Sequence, residues 1–177
     1  MANVGVKGVD RLTQRLNGIA NMELIGVVNK ATQLVHGQAK ALAPDDNGLL
    51  RESIHMKVKN TGKAIEGRVY TNVEYAPYVE YGTGIKGDGT YPYRVEGLTL
   101  EYRDSAWYIS VDKISDKTAQ KYHFKKVRGK GGKEYYECYG QKAQPYMYPA
   151  LKENEKTIKQ ILKSGVKTKL KENSKGG

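Results

Sequence analysis

The chain has 177 residues, a net charge of +11 at pH 7 and one cysteine, Cys138. That length supports one domain with a real core, or one domain carrying an elaboration. A lone cysteine excludes an internal disulfide framework and a cysteine-built zinc site. No window approaches the roughly 18 apolar residues of a membrane span. The opening "MANVGVKGVDRL" has no apolar core of a signal peptide, so the expected compartment is a reducing cytoplasm. Tyrosine is abundant (14) beside one phenylalanine and one tryptophan. Tyrosine tolerates half-wet positions, so the bias points to contact surfaces more than to a large core. The positive charge favours anionic neighbours, nucleic acid or an acidic protein surface.

In chain order, Val9, Leu12, Leu16 and Ile19 recur at three- and four-residue steps and predict a short helix over 8–17, ended by Gly18. Asn21 then reads as the N-cap of a longer helix. Its stripe is Leu24, Val28, Ala31, Val35, Ala39 and Leu42, and Pro44 stops it. From Ile54 the period changes to two. Ile54, Met56 and Val58 alternate with His55, Lys57 and Lys59, "NTGK" supplies a turn, and Ile65, Val69, Thr71 and Val73 alternate again. This is a β-hairpin with one wet face.

The stretch 71–93, "TNVEYAPYVEYGTGIKGDGTYPY", reads as a shaped loop presenting tyrosines. A β-rich block follows. Leu98, Leu100 and Tyr102 predict one strand; Trp107, Ile109 and Val111 predict another beyond a turn at Asp104-Ser105. A further pair, near 119–127 and 134–139, is joined by "RGKGGK". Leu151, Ile158, Ile161 and Leu162 predict a C-terminal helix continuing toward Val166, and "KTKLKENSKGG" reads as a solvated tail. The plan is α+β: helices packed on an antiparallel sheet, with an inserted β-rich subdomain and a C-terminal helix. The expected division is a core of 1–84 with 143–165, an insertion at 85–142 and a basic tail at 166–177.

Catalytic chemistry needs converging titratable groups, and few converge here. His36, His55 and His123 fall in three elements without metal-ligand spacing. Asp45 and Asp46 follow a helix-ending proline and read as turn residues. "GDGT" lacks the full ligand series of a calcium loop. Ser53 and Ser110 have no nucleophile-elbow context. "RGKGGK" lacks the strand–loop–helix pattern of a phosphate loop. It reads instead as a cationic hairpin tip in which Lys125, Lys126, Arg128, Lys130 and Lys133 are candidates for contact with an anion or DNA. Glu80 has no acid–base partner in the sequence. Its expected role is structural, accepting N–H groups of the glycine turn or pairing with a basic residue such as Arg51. No cofactor, metal or catalytic residue is assigned.

Three segments stand in order: Gly48-Leu49-Leu50-Arg51-Glu52-Ser53-Ile54, then Tyr75-Ala76-Pro77-Tyr78-Val79-Glu80-Tyr81-Gly82-Thr83, then Ala143-Gln144-Pro145-Tyr146-Met147-Tyr148-Pro149-Ala150. Together they resemble the phage neck and tail-completion family named after a gene-ten product of a lambdoid phage. Its pattern is G-x-L-x-x-S-I, then Y-A-x-x-V-E-x-G-T, then P-[YF]-[ML]-x-P-A before a final helix. The resemblance covers about 1–84 and 143–165 and leaves 85–142 unexplained.

The resemblance implies a structural virion protein, not an enzyme, made in the host bacterial cytoplasm. It would form a ring, expected to be hexameric, at the head–tail junction or tail end of a long-tailed phage. Implied partners are further copies of the chain, connector or stopper and tail-tube proteins, and DNA passing the lumen. The expected subunit interface is an aromatic edge of Tyr75, Tyr78 and Tyr81 with Glu80 and Thr83, and a second edge of Tyr146 and Tyr148 held between Pro145 and Pro149. The competing reading is a basic nucleic-acid-binding protein acting through the 125–133 tip.

Overall fold

Helix α1 (Val9–Leu42) runs unbroken through the two helices expected from the sequence. Gly18 costs a helix about 1 kcal/mol relative to alanine, and Asn21 less, but neither forces an exit. Proline lacks the N–H that continues a helix, and Pro44 follows the end of α1 by two residues. The computed structural model describes residues 9–44, 48–62 and 64–174, with side chains from Leu24 onward except at 170, 173 and 174. The stripe Val9–Ile19, the Asp45-Asp46 pair and Lys63 of the expected turn lie outside those described side chains and residues.

Two compact units emerge: 1–71 with 147–177, and 72–146. The units divide at 71/72 and 146/147.

In the first unit, Val27, Ala31, Val35, Ala39 and Ala43 form a buried row at four-residue spacing along α1. Leu42, at the edge of that row, is exposed, and Ala43 takes the buried place. The row packs on a two-stranded antiparallel sheet, β1 (Ile54–Asn60) and β2 (Ile65–Thr71), with Ile54 opposite Thr71 and Asn60 opposite Ile65. The expected hairpin is therefore present. Its turn closes through Thr61 N–H donating to the Ala64 carbonyl (2.9 Å) and Gly62 N–H donating to Asn60 Oδ1 (2.8 Å). His36 of α1 reaches the Ile54 carbonyl through Nε2 at 2.9 Å.

The first motif is a corner between α1 and the sheet. A short helix α2 (Leu49–Glu52) begins after Gly48, buries Leu50 and ends at Ser53. The Ser53 hydroxyl donates to the Leu50 carbonyl (2.7 Å) and lies 2.6 Å from Thr71 Oγ1. The serine thus ties the corner to the far end of β2, which explains why a hydroxyl precedes the buried Ile54.

The chain returns to α1 through α6 (Met147–Lys152), which buries Pro149 and Ala150, and α7 (Glu155–Ser174). The solvated tail expected after Val166 is instead helical as far as Ser174, the last described residue. Its lysines, leucine and glutamate are good helix formers, and a Lys169–Glu172 pair (2.7 Å) supports the last turns. Glycine at 165 lets α7 approach α1: a Cβ there would stand 2.4 Å from Val27 Cγ1. Val166 lines a cleft with Leu24, Val27 and Leu162. Truncation after Lys163 should accordingly lower stability by about 1–2 kcal/mol, since it strips apolar cover from α1. Urea unfolding measures this, and an unchanged midpoint would mean the last turns contribute nothing to the unit.

The second unit holds α3 (Ala76–Tyr81), α4 (Gly84–Gly87), β3 (Trp107–Ser110), α5 (Asp116–Lys121), β4 (Lys125–Arg128) and β5 (Glu134–Cys138). Its sheet has the order β3-β5-β4, antiparallel throughout. The β4–β5 hairpin around "RGKGGK" matches expectation. Three expectations do not hold. The stretch 71–93 contains α3 and α4 rather than loop alone, because Pro77 fits the first turn of a helix. Residues 98–102 form no strand, and β3 pairs with β5 instead. Residues 116–121 are helical, started by Ser115, whose hydroxyl accepts the Thr118 N–H at 3.1 Å.

Candidate functional site

The second motif lies in the second unit as a short helix with a glycine exit. Pro77 sits in the first turn of α3, and Gly82 ends it at φ 79. Beyond it, Thr83 and Gln141 form an antiparallel bridge: Thr83 N–H donates to the Gln141 carbonyl (2.9 Å) and Gln141 N–H to the Thr83 carbonyl (3.1 Å). Lys86 N–H donates to the Tyr139 carbonyl (3.0 Å), and Gln144 N–H to the Val79 carbonyl (2.8 Å). Ala143 N–H donates to Thr90 Oγ1 (2.9 Å), and Gln141 Nε2 to the Tyr78 carbonyl (3.1 Å). The segment 139–146 is thus laced along 78–90 by main-chain and side-chain bonds.

Glu80 completes the lacing. It is 4 % exposed, and its Oε2 accepts the Tyr146 N–H at 2.7 Å. Accepting a main-chain N–H is a structural contact of the expected kind, and the amide concerned is that of Tyr146. A charge-assisted bond of this kind holds a buried main-chain donor that water cannot reach.

The expected aromatic edges separate into exposed and packed members. Tyr78 is 59 % exposed and Tyr75 is 40 % exposed, at and just before the start of α3. Tyr81 is half-buried; its ring meets Tyr91 edge-on at 5.0 Å, and Tyr91 meets Tyr93 at 5.6 Å. The Tyr102 hydroxyl donates to the Tyr81 carbonyl (2.8 Å). Burial, aided by the Glu80 charge, pushes the Tyr81 phenol above its ordinary pKa. Tyr146 corrects the expectation of a second presented edge. It is 1 % exposed, with Glu80, Tyr75 and Tyr81 of the same unit near its phenol. Its phenol is pushed up strongly, first by burial and then by Glu80, Tyr75 and Tyr81. Glu80 is likewise interior rather than presented. Tyr148 stands half-buried in α6 of the first unit.

A groove beside Tyr78 was not foreseen. Thr83, Tyr102, Arg103 and Trp107 line it with Tyr78, and the Arg103 guanidinium stands over the Trp107 ring at 5.7 Å. Tyr102 and Trp107 look like ordinary strand residues in sequence. Only the fold back onto Thr83 brings them to Tyr78.

The basic tip is exposed at Lys125, Lys126, Arg128, Lys130 and Lys133. Glu134 lies across from Arg128 in the sheet and stands 3.9 Å from it and 3.5 Å from Lys126. Lys126 also covers the Tyr136 ring at 5.7 Å. The strand part of the tip is therefore partly neutralised from within. His36, His55 and His123 stand in α1, β1 and the turn after α5. Among the described residues, no cluster of His, Cys, Asp or Glu is arranged to hold a metal ion, and no helix is long and apolar enough to cross a membrane.

Residues 9–82 match the model of the family described as "Bacteriophage HK97-gp10, putative tail-component". No curated protein and no solved structure matches the chain. The matched region contains α1, the Ser53 corner, the hairpin and α3, so it carries the first motif entire and the second up to Gly82. Over that stretch the chain is similar to a phage tail-component family, which supports reading it as a phage tail-related structural protein.

Proposed function

We propose that this chain is the subunit of a ring, six copies in the resemblance read from its sequence, that completes or terminates the tail of a long-tailed phage and joins it to the head. The observation that carries the reading is the family match over 9–82, which ends on the helix presenting Tyr75 and Tyr78. Exposed tyrosines beside an aromatic groove suit subunit contacts, because they bury large area at small entropy cost. Pro77 stiffens the segment that holds them. A closed ring needs a head-to-tail contact, and a tyrosine edge on one copy facing a different surface on the next supplies that geometry. The remaining partners would be the connector or stopper proteins and the tail tube.

The surplus of positive charge makes identical subunits repel. The isolated protein is thus expected as a monomer in dilute solution, with rings forming on the particle. The double variant Tyr75→Ala with Tyr78→Ala should keep wild-type stability to within about 0.5 kcal/mol per site, as surface changes do. Particles carrying it should show incomplete tails in negative-stain micrographs. Normal particles in normal yield would remove these tyrosines from the interface.

A further inference from the structure

Helix α7 carries Lys156, Lys159, Lys163, Lys167 and Lys171 at steps of three and four residues, all exposed. Such steps keep side chains on one face of a helix. The row spans fifteen residue steps, about 22 Å at the helical rise. Which way it faces is fixed by Gly165, whose Cα lies against Val27 of α1. Gly165 is two residues from both Lys163 and Lys167, hence about 200° around the helix from each. The lysine row therefore points away from α1. The glutamates of α7 stand at its ends: Glu155 pairs with Lys152 and Lys159, and Glu172 with Lys169. None interrupts the middle of the row.

We infer that this ridge is a contact for the phosphate backbone of nucleic acid. Two partner classes suit a cationic ridge, a nucleic acid and an acidic protein, and the composition of the ridge favours the first. Protein interfaces deplete lysine and centre on aromatic or arginine anchors, and the row contains neither. A phosphate backbone requires only spaced cations on a firm support. Over the length of the ridge a duplex presents about a dozen phosphate charges. The 125–133 tip is the weaker candidate, because Glu134 already faces Lys126 and Arg128. This inference goes beyond the ring reading and does not rest on it, since solution binding is read without particles.

The test is fluorescence anisotropy of a short labelled DNA duplex of arbitrary sequence, titrated with the full chain at several sodium chloride concentrations. Three to five neutralised phosphates, the lower count leaving out Lys159 and Lys171, predict a slope of log affinity against log salt of about −2.7 to −4.5. The variant K156Q/K163Q/K167Q should make that slope shallower by about 2 to 3. Glutamine matches lysine in helix propensity, so circular dichroism and the melting temperature should be unchanged. The variant K125Q/K130Q/K133Q should change the slope by less than the ridge variant does. Three results would each overturn the inference: no binding at low salt, wild-type binding by a folded ridge variant, or loss confined to the tip variant. Equal affinity for polyglutamate at the same salt would assign the ridge to an acidic protein instead.

Discussion

Replacing Gly140 with alanine should cost about 3 kcal/mol or more, the largest effect expected of any single methyl group in the second unit. Gly140 adopts φ +90, a conformation that side chains rarely tolerate. An added Cβ would stand 1.8 Å from the Thr83 carbonyl oxygen and 2.4 Å from its carbon. Both atoms are backbone, so no rotamer change relieves the contact. The bridge between Thr83 and Gln141 would have to open, and with it the lacing of 78–90 onto 139–146. Hydrogen exchange should show the Thr83, Lys86 and Gln141 amides losing protection, with a lower urea midpoint. An unchanged midpoint would mean that these two segments do not lie against each other.

Tyr146→Ala should cost about 3–5 kcal/mol, the usual range for emptying a buried aromatic site. Among the described residues, Tyr146 and Ile54 are the largest fully buried side chains, so removing the ring leaves a large enclosed void. Differential scanning calorimetry would read the loss, and a cost below about 1 kcal/mol would place Tyr146 at a surface, as first expected from the sequence. The phenol adds a pH signature. Its folded pKa is raised above the ordinary 10.0, so its neutral form is the one the fold prefers. That contribution is fully present below pH 10.0 and is lost as pH rises above it, toward the folded value. Tyr146→Phe should therefore show a smaller alkaline loss of stability than wild type. Tyr81 and Tyr102 shift in the same direction and will retain part of it.

What the sequence disclosed follows the range of the interactions involved. The period-two run from Ile54, the β4–β5 hairpin and the apolar steps of α7 are local patterns, and each appears as an element. Helix α5 takes the start of the strand expected near 119–127, because the Ser115 hydroxyl caps it through the Thr118 N–H. Leu98, Leu100 and Tyr102 alternate as a strand would, yet pairing needs a neighbour. Residues 98–102 find none, and β3 takes β5 as its partner. Nor could local periodicity show that Glu80 holds the amide of Tyr146, sixty-six residues away. That long-range bond holds the Tyr146 amide against α3, and the Tyr146 ring is buried rather than presented. Tyr75 and Tyr78 kept their expected exposure because α3 buries Ala76 and Glu80 instead.

The most direct test of the central claim is cryo-electron microscopy of purified phage particles whose copy of this chain carries a small visible tag. The account predicts tag density in one closed ring of six copies at the head–tail junction or tail end. Tag density repeated along the tail tube, or particles complete without the chain, would contradict it.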